Sequence, residues 1–268
     1  MQRALLAAIL LAPLCALLGV FVTARGLAFF SDTISHGALA GIALGFWWGL
    51  ADPTLPMVLF SLLVAGALLW LQRHTRLSTD TILALLLSGS VSLGVVILSL
   101  LQSYRGELHR YLFGDILAVG SREVWLAVVL VAVVGAGVLY HLSSFTLLTA
   151  QEEMAHVCGV SVRRLNFLFV LALTVTVALS IRLLGIVLVT SLLVIPPATA
   201  RNLSRSFRQQ IWLSLAAGLV AGFLGIVFSY QFNVPSGPTI VLTGIGLFCL
   251  TLVVASVRAT PRARGSGG

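Results

Sequence analysis

Lysine is absent from all 268 residues, and acidic residues are nearly so, with four Asp and four Glu. Charged side chains make up 9% of the chain, and the positive ones are 16 Arg. Without Lys there is no P-loop, because that loop needs a Lys to reach the β/γ-phosphates. The chain therefore carries no P-loop ATPase of its own. No HExxH, Gly-rich phosphate loop or Ser/His/Asp grouping occurs either, so hydrolytic catalysis is left without a residue set. Cysteine is limited to Cys15, Cys158 and Cys249, with no CxxC spacing. Cys15 and Cys249 lie inside apolar runs and read as small buried hydrophobes, which say nothing about redox compartment.

What the sequence has instead is apolar surface. Apolar residues make up 59% of the chain and the mean hydropathy is +1.09, against about 45–50% apolar residues in an ordinary soluble domain. The chain is an integral membrane protein. Runs of about 17 to 25 apolar residues are long enough to cross a hydrocarbon core as helices. Nine stand out, near 4–22, 27–50, 55–71, 80–102, 123–141, 165–181, 184–200, 211–229 and 238–257. The seventh is short and holds Pro196-Pro197, which leaves eight open. The alternating segments of about ten residues that a β-barrel requires are missing. The expected fold is all-α, a polytopic membrane helix bundle. A single transmembrane domain should cover 1–257, and the polar stretch 258–268 reads as a flexible cytoplasmic tail. Arg3 and the Val22-Thr23-Ala24 run raise the possibility of a signal peptide, but the apolar run between them is longer than a usual h-region and reads as a retained first span.

The Arg distribution sets orientation. With the loop after the fifth span cytoplasmic, the inside holds Arg25, Arg73, Arg76, Arg163, Arg164, Arg201, Arg205, Arg208, Arg258, Arg262 and Arg264. The outside keeps Arg3, Arg105, Arg110, Arg122 and Arg182. That bias puts the N-terminus outside and the C-terminus inside. A net charge of +8 spread over helix ends in this way is a topology signal and not a nucleic-acid stripe.

Two connections exceed simple turns. The outer one, from Ser103 to Arg122, contains the apolar run Tyr111 to Leu117, which could dip back into the membrane, and the polar residues Glu107, His109 and Asp115. The inner one, from Leu142 to Arg164, carries Gln151 to Val160, whose polarity and terminal Gly159 suit either a short surface helix or a plain interfacial loop.

Within the second span, Asp32 and His36 are four residues apart, one turn above each other on one helix face. A carboxylate in a span costs about 2.5–3.5 kcal/mol on insertion scales, so it is seldom there without a use. Asp plus His suits Zn²⁺, Mn²⁺ or Fe²⁺. A structural Asp–His hydrogen bond, an N-cap by Asp32 and a proton relay are the competing readings. Two ligands do not close a tetrahedral site, so a metal site would need a second copy of the chain or a ligand from another span. Gly37, Gly41, Gly45 and Gly49 form a small-residue stripe beside this face, suited to close packing inside the bundle. His74, His141 and His156 are weaker candidates.

With these residues in view, the chain resembles the membrane-spanning permease subunits of ABC-type importers for zinc, manganese and iron(II), most of all the zinc permeases. Four segments in one order carry the resemblance: Ser31-Asp-Thr-Ile-Ser-His-Gly37, Tyr111-Leu-Phe-Gly-Asp-Ile-Leu117, Gly185 to Arg201, and Val234-Pro-Ser-Gly-Pro-Thr239. Ser31 stands where many relatives have Gly, and Pro197 where they have Ala. The resemblance implies a homodimeric, multi-pass permease in the bacterial inner (plasma) membrane. A cytoplasmic ATP-binding subunit and a periplasmic metal-binding protein would be its partners, with lipid around it and no nucleic acid. The transported Zn²⁺ (or Mn²⁺ or Fe²⁺) would be cargo, with no permanently bound cofactor. Asp32 and His36 match the family's pathway element, and Glu153, Ala155 and Gly159 match the segment that contacts the ATPase. An ion-coupled secondary carrier or channel for divalent metals is the alternative, though the internal inverted repeat common in carriers is not visible.

Overall fold

The computed structural model describes residues 2–50, 52–100, 120–150 and 161–259, and every regular element among them is an α-helix. The physical reason is the one the composition announces. In hydrocarbon no water satisfies backbone N–H and C=O groups, so an apolar run closes its hydrogen bonds within itself.

The helices are α1 (Gln2–Ala24), α2 (Ala28–Trp47), α3 (Thr54–His74), α4 (Thr79–Leu100), α5 (Ser121–Tyr140), α6 (Leu142–Ala150), α7 (Val162–Leu184), α8 (Ile186–Leu203), α9 (Phe207–Phe232) and α10 (Ser236–Ala259). Eight of them are long and apolar enough to span a bilayer. α2, at 20 residues, has the length but is diluted by Ser31, Asp32, Ser35 and His36. Each of the nine apolar runs is thus one helix. α8 passes through Pro196 and Pro197 without ending, so the prolines do not remove a span. α6 fills the first part of the inner connection, ahead of the Gln151 to Val160 stretch where a surface helix is expected. α10 continues to Ala259, taking in the first two residues of the expected tail.

α1 is the centre of the bundle. It packs against α8 and α9 on one side and against α5 and α7 on another, while α2 lies between α3 and α4 and reaches α7 and α8. Small residues set these distances. A Cβ on Gly19 would run into the Leu193 carbonyl of α8 and come within 2.9 Å of the Pro197 ring. Leu193 is the residue whose carbonyl loses its helical donor because Pro197 has no N–H. The bare Gly19 therefore lets α1 press on the one stretch of α8 whose hydrogen-bond ladder is interrupted. On the other side, the Ser214 hydroxyl of α9 donates to the Ala16 carbonyl at 3.1 Å. α7 and α8 are separated by a single residue, Gly185, whose φ of +80° is open to glycine and costly for other residues.

Both ends of the bundle are tied by arginine. At one end Phe21, Phe145, Phe169 and Phe207 form an aromatic cluster with ring centroids 5.7–6.3 Å apart. Arg25 lies over Phe169 at 4.5 Å and donates to Thr149 Oγ1 at 3.1 Å and Asn166 Oδ1 at 3.4 Å. It thereby fixes the α1–α2 turn against α6 and α7. At the opposite end Arg182 donates to Asp52 at 3.0 Å and to the Thr54 hydroxyl, and stands 3.6 Å from Glu123. Arg25 and Arg182 mark the ends that the Arg distribution assigns to the cytoplasm and to the outside.

Candidate functional site

α2 is locked in place before its polar residues are considered. The Thr33 hydroxyl donates to the Phe29 carbonyl at 2.9 Å and to the Leu83 carbonyl of α4 at 3.3 Å. On another face, Gly37 rests on Val64 and Gly41 on the backbone of Pro56 and Met57, where a Cβ would come within 2.7 Å of a carbonyl oxygen. The glycine stripe therefore does what its spacing suggests and packs α2 onto α3. Gly49 is the exception: it stands past the helix end, with φ +71°.

Between Phe30 and Phe46 every residue of α2 is buried except Asp32, His36, Leu39 and Leu44. The first three follow one another at i, i+4 and i+7, one strip along the helix. Asp32 and His36 are near enough for their charges to interact, and the Thr190 side chain of α8, whose hydroxyl donates to the Val187 carbonyl at 3.4 Å, lies near Asp32. α8 shows a matching strip. Val187, Thr190, Ser191, Val194, Ile195 and Ala198 are the incompletely buried positions between Val187 and Ala200, again at three- and four-residue spacing. The uncovered strips of α2 and α8 meet at Asp32 and Thr190. Elsewhere the chain covers α2 with its own helices. Here it leaves a carboxylate, an imidazole and a hydroxyl together on an open face.

Among the described residues no group of three or more His, Cys, Asp or Glu side chains gathers in one place. Asp32 and His36 therefore stand as a pair, with no third such side chain gathered beside them among the described residues. His74 turns back onto its own helix, with Nδ1 2.8 Å from the Trp70 carbonyl and its ring stacked on Trp70. His141 lies against Tyr140 and Phe145. Glu153, Ala155, Gly159 and His156, and the outer residues Glu107, His109 and Tyr111 to Leu117, lie outside the described residues.

Three features escape sequence reasoning. Thr190 is one hydroxyl in an apolar run, and nothing local connects it to Asp32. Arg182 and Asp52 are 130 residues apart, so their pairing has no local signal. The Thr54 hydroxyl, and after it the Arg182 guanidinium, hold the Asp52 carboxyl below the usual carboxylate range. The Ser35 hydroxyl, fully buried on the turn between Asp32 and His36, has no hydrogen-bond partner among the described residues.

Comparison with known proteins bears on the family and the fold. A model of the ABC 3 transport family matches residues 1–255. A high-affinity zinc uptake system membrane protein of Haemophilus influenzae is 35% identical, over 93% of this chain and 95% of its own. A manganese transport system membrane protein of Listeria innocua is 28% identical, over 95% of this chain and 90% of its own. Among solved structures, PsaBC from Streptococcus pneumoniae in complex with Fab superposes with a TM-score of 0.82 at 27% identity, covering 96% of this chain and 94% of that one. Spanning helices and such relatives place the protein in the bacterial inner membrane as a multi-pass protein. With its model matched from the first residue to residue 255, the chain belongs to the ABC 3 transport family.

Proposed function

We propose that this chain is the membrane permease subunit of an ATP-driven importer for divalent transition metal ions, with Zn²⁺ the preferred cargo and Asp32 and His36 the residues that contact it. The observation that carries the reading is the strip of α2 that bears a carboxylate and an imidazole: between Phe30 and Phe46 the chain buries every other residue of this helix except Leu44, and leaves Asp32, His36 and Leu39 only half-buried. The zinc and manganese transport named for the two relatives points to the same class of cargo.

A second copy of the chain completes the site. Two strips facing each other across a homodimer axis bring two Asp32 and two His36 to one ion, the four ligands that tetrahedral Zn²⁺ takes. Charge favours the same count. An uncompensated charge is expensive in a low-dielectric interior, and two carboxylates neutralise one divalent ion where a single Asp32 would leave a net positive charge. Few ligands, two of them imidazole, suit Zn²⁺ better than Mn²⁺, which favours an oxygen-rich shell. Binding must stay modest so that the ion leaves, which assigns tight capture to a periplasmic metal-binding protein. ATP hydrolysis falls to a cytoplasmic subunit docked on the segment with Glu153, Ala155 and Gly159. The carrier or channel alternative has no observation in its favour.

The test is zinc uptake into vesicles containing the purified permease, its ATP-binding subunit and its loaded binding protein. Asp32→Asn with His36→Ala should abolish ATP-dependent uptake while the chain still inserts and dimerises. Excess Mn²⁺ should leave wild-type zinc uptake unchanged. Wild-type transport by the double variant would remove these residues from the path, and manganese moved in preference to zinc would overturn the choice of ion alone.

A further inference from the structure

A cleft of about 850 Å³ opens in the side of the bundle near its Arg-rich end. Leu17 of α1 is its floor, Leu139 of α5 with Leu142, Ser143 and Thr146 of α6 forms one wall, and Ile211, Trp212 and Leu215 of α9 the other. Arg208, in the first turn of α9, stands among the lining residues. The cleft belongs to no part of the Asp32–His36 face, which lies on α2 and α8.

Its surroundings identify what fills it. Leu139 and Trp212 on its two walls are 61% and 67% exposed. The helices behind them expose Trp125, Val129 and Val133 on α5 and Leu219 and Phe223 on α9, side chains that in a bilayer face acyl chains. The mouth therefore opens toward lipid. Its polar components include Arg208 and Ser143, which both line it, and Trp212 is one turn further along α9, the arrangement of an anchor at the headgroup boundary. An apolar slot with a fixed cation at headgroup depth matches a phospholipid whose chain fills the slot and whose phosphate meets the cation.

We propose that this cleft is a binding site for one anionic phospholipid of the cytoplasmic leaflet, with an acyl chain between α5–α6 and α9 over Leu17 and the headgroup phosphate on Arg208. The site would anchor α6 to the membrane.

Native mass spectrometry of the full-length protein tests this with phosphatidylglycerol and phosphatidylethanolamine of matched chains. The wild type should retain one phospholipid per chain and prefer phosphatidylglycerol about fivefold, the size of effect one Arg near an anionic headgroup supplies. Arg208→Gln should erase the preference, and Ser143→Trp, which fills the slot from an exposed position, should remove the retained lipid. Millimolar inorganic phosphate should displace nothing. The proposal is overturned if the wild type retains no phospholipid, if Arg208→Gln keeps the preference, if free phosphate abolishes it, or if the cleft proves to be covered by the ATP-binding subunit with no lipid in it.

Discussion

α1 and α10 are equally apolar over their most apolar stretches, yet 72% of that stretch is buried in α1 and 17% in α10. Hydropathy explains why both insert and does not explain where either one sits. The difference lies in size. α1 places Ala8, Ala12, Ala16 and Gly19 along one side at three- and four-residue spacing, and Gly218 and Gly222 of α9 answer Ala16 and Ala12 across the contact. Lipid is as apolar as leucine, so helices associate in a bilayer through close packing and hydrogen bonds, and small residues permit both. α10 instead turns Leu242, Leu250, Val253 and Val257 outward. α2 adds the third case: it is less apolar than either and is buried because its glycines fit α3, which leaves one strip for Asp32 and His36.

The comparison breaks first at Gly19. Gly19→Val should separate α1 from α8 at the Leu193 carbonyl, costing about 3 kcal/mol, at the upper end of overpacking losses. Thermal unfolding in detergent should show a large drop in midpoint. An unchanged midpoint would mean that the α1–α8 contact does not hold the bundle together.

A smaller effect is expected at the outer tie. Arg182→Gln removes an ion pair whose Asp52 partner has a side chain 56% exposed, so solvent screening limits the loss to about 1 kcal/mol or less. Its pH dependence has a definite sign. The carboxyl of Asp52 is held below its ordinary value in the fold, so its contribution is complete above about pH 4 and fades as pH falls through the lowered folded value. Acid titration of stability should lose part of its slope below pH 4 in Asp52→Asn. A slope that changed only near neutrality would contradict the assignment.

How much of this was legible in the sequence follows from how local each cause is. Span length and hydropathy are local, and all nine apolar runs are helices. The spacing of Asp32 and His36 is local too, and so is the Gly37–Gly41–Gly45 stripe. The nearness of Thr190 to Asp32 and the pairing of Arg182 with Asp52 depend on which helices touch, which apolar runs do not encode. α6 escaped notice because a nine-residue helix leaves only a short periodic signal.

The smallest effect sharpens the other side of the comparison. Leu250→Ala on α10 should change stability by no more than about 0.5 kcal/mol, since that side chain is 62% exposed in the protein. A loss as large as that at Gly19 would mean that α10 meets a partner on this face.

The account stands most directly on the claim that each ion is held by two copies of the α2 strip. Tandem-linked dimers with Asp32→Asn and His36→Ala in one half only, assayed for zinc uptake in the reconstituted system, separate the possibilities. A shared site predicts uptake as low as in the dimer with both halves altered. About half of wild-type uptake would show that each chain carries a complete path of its own.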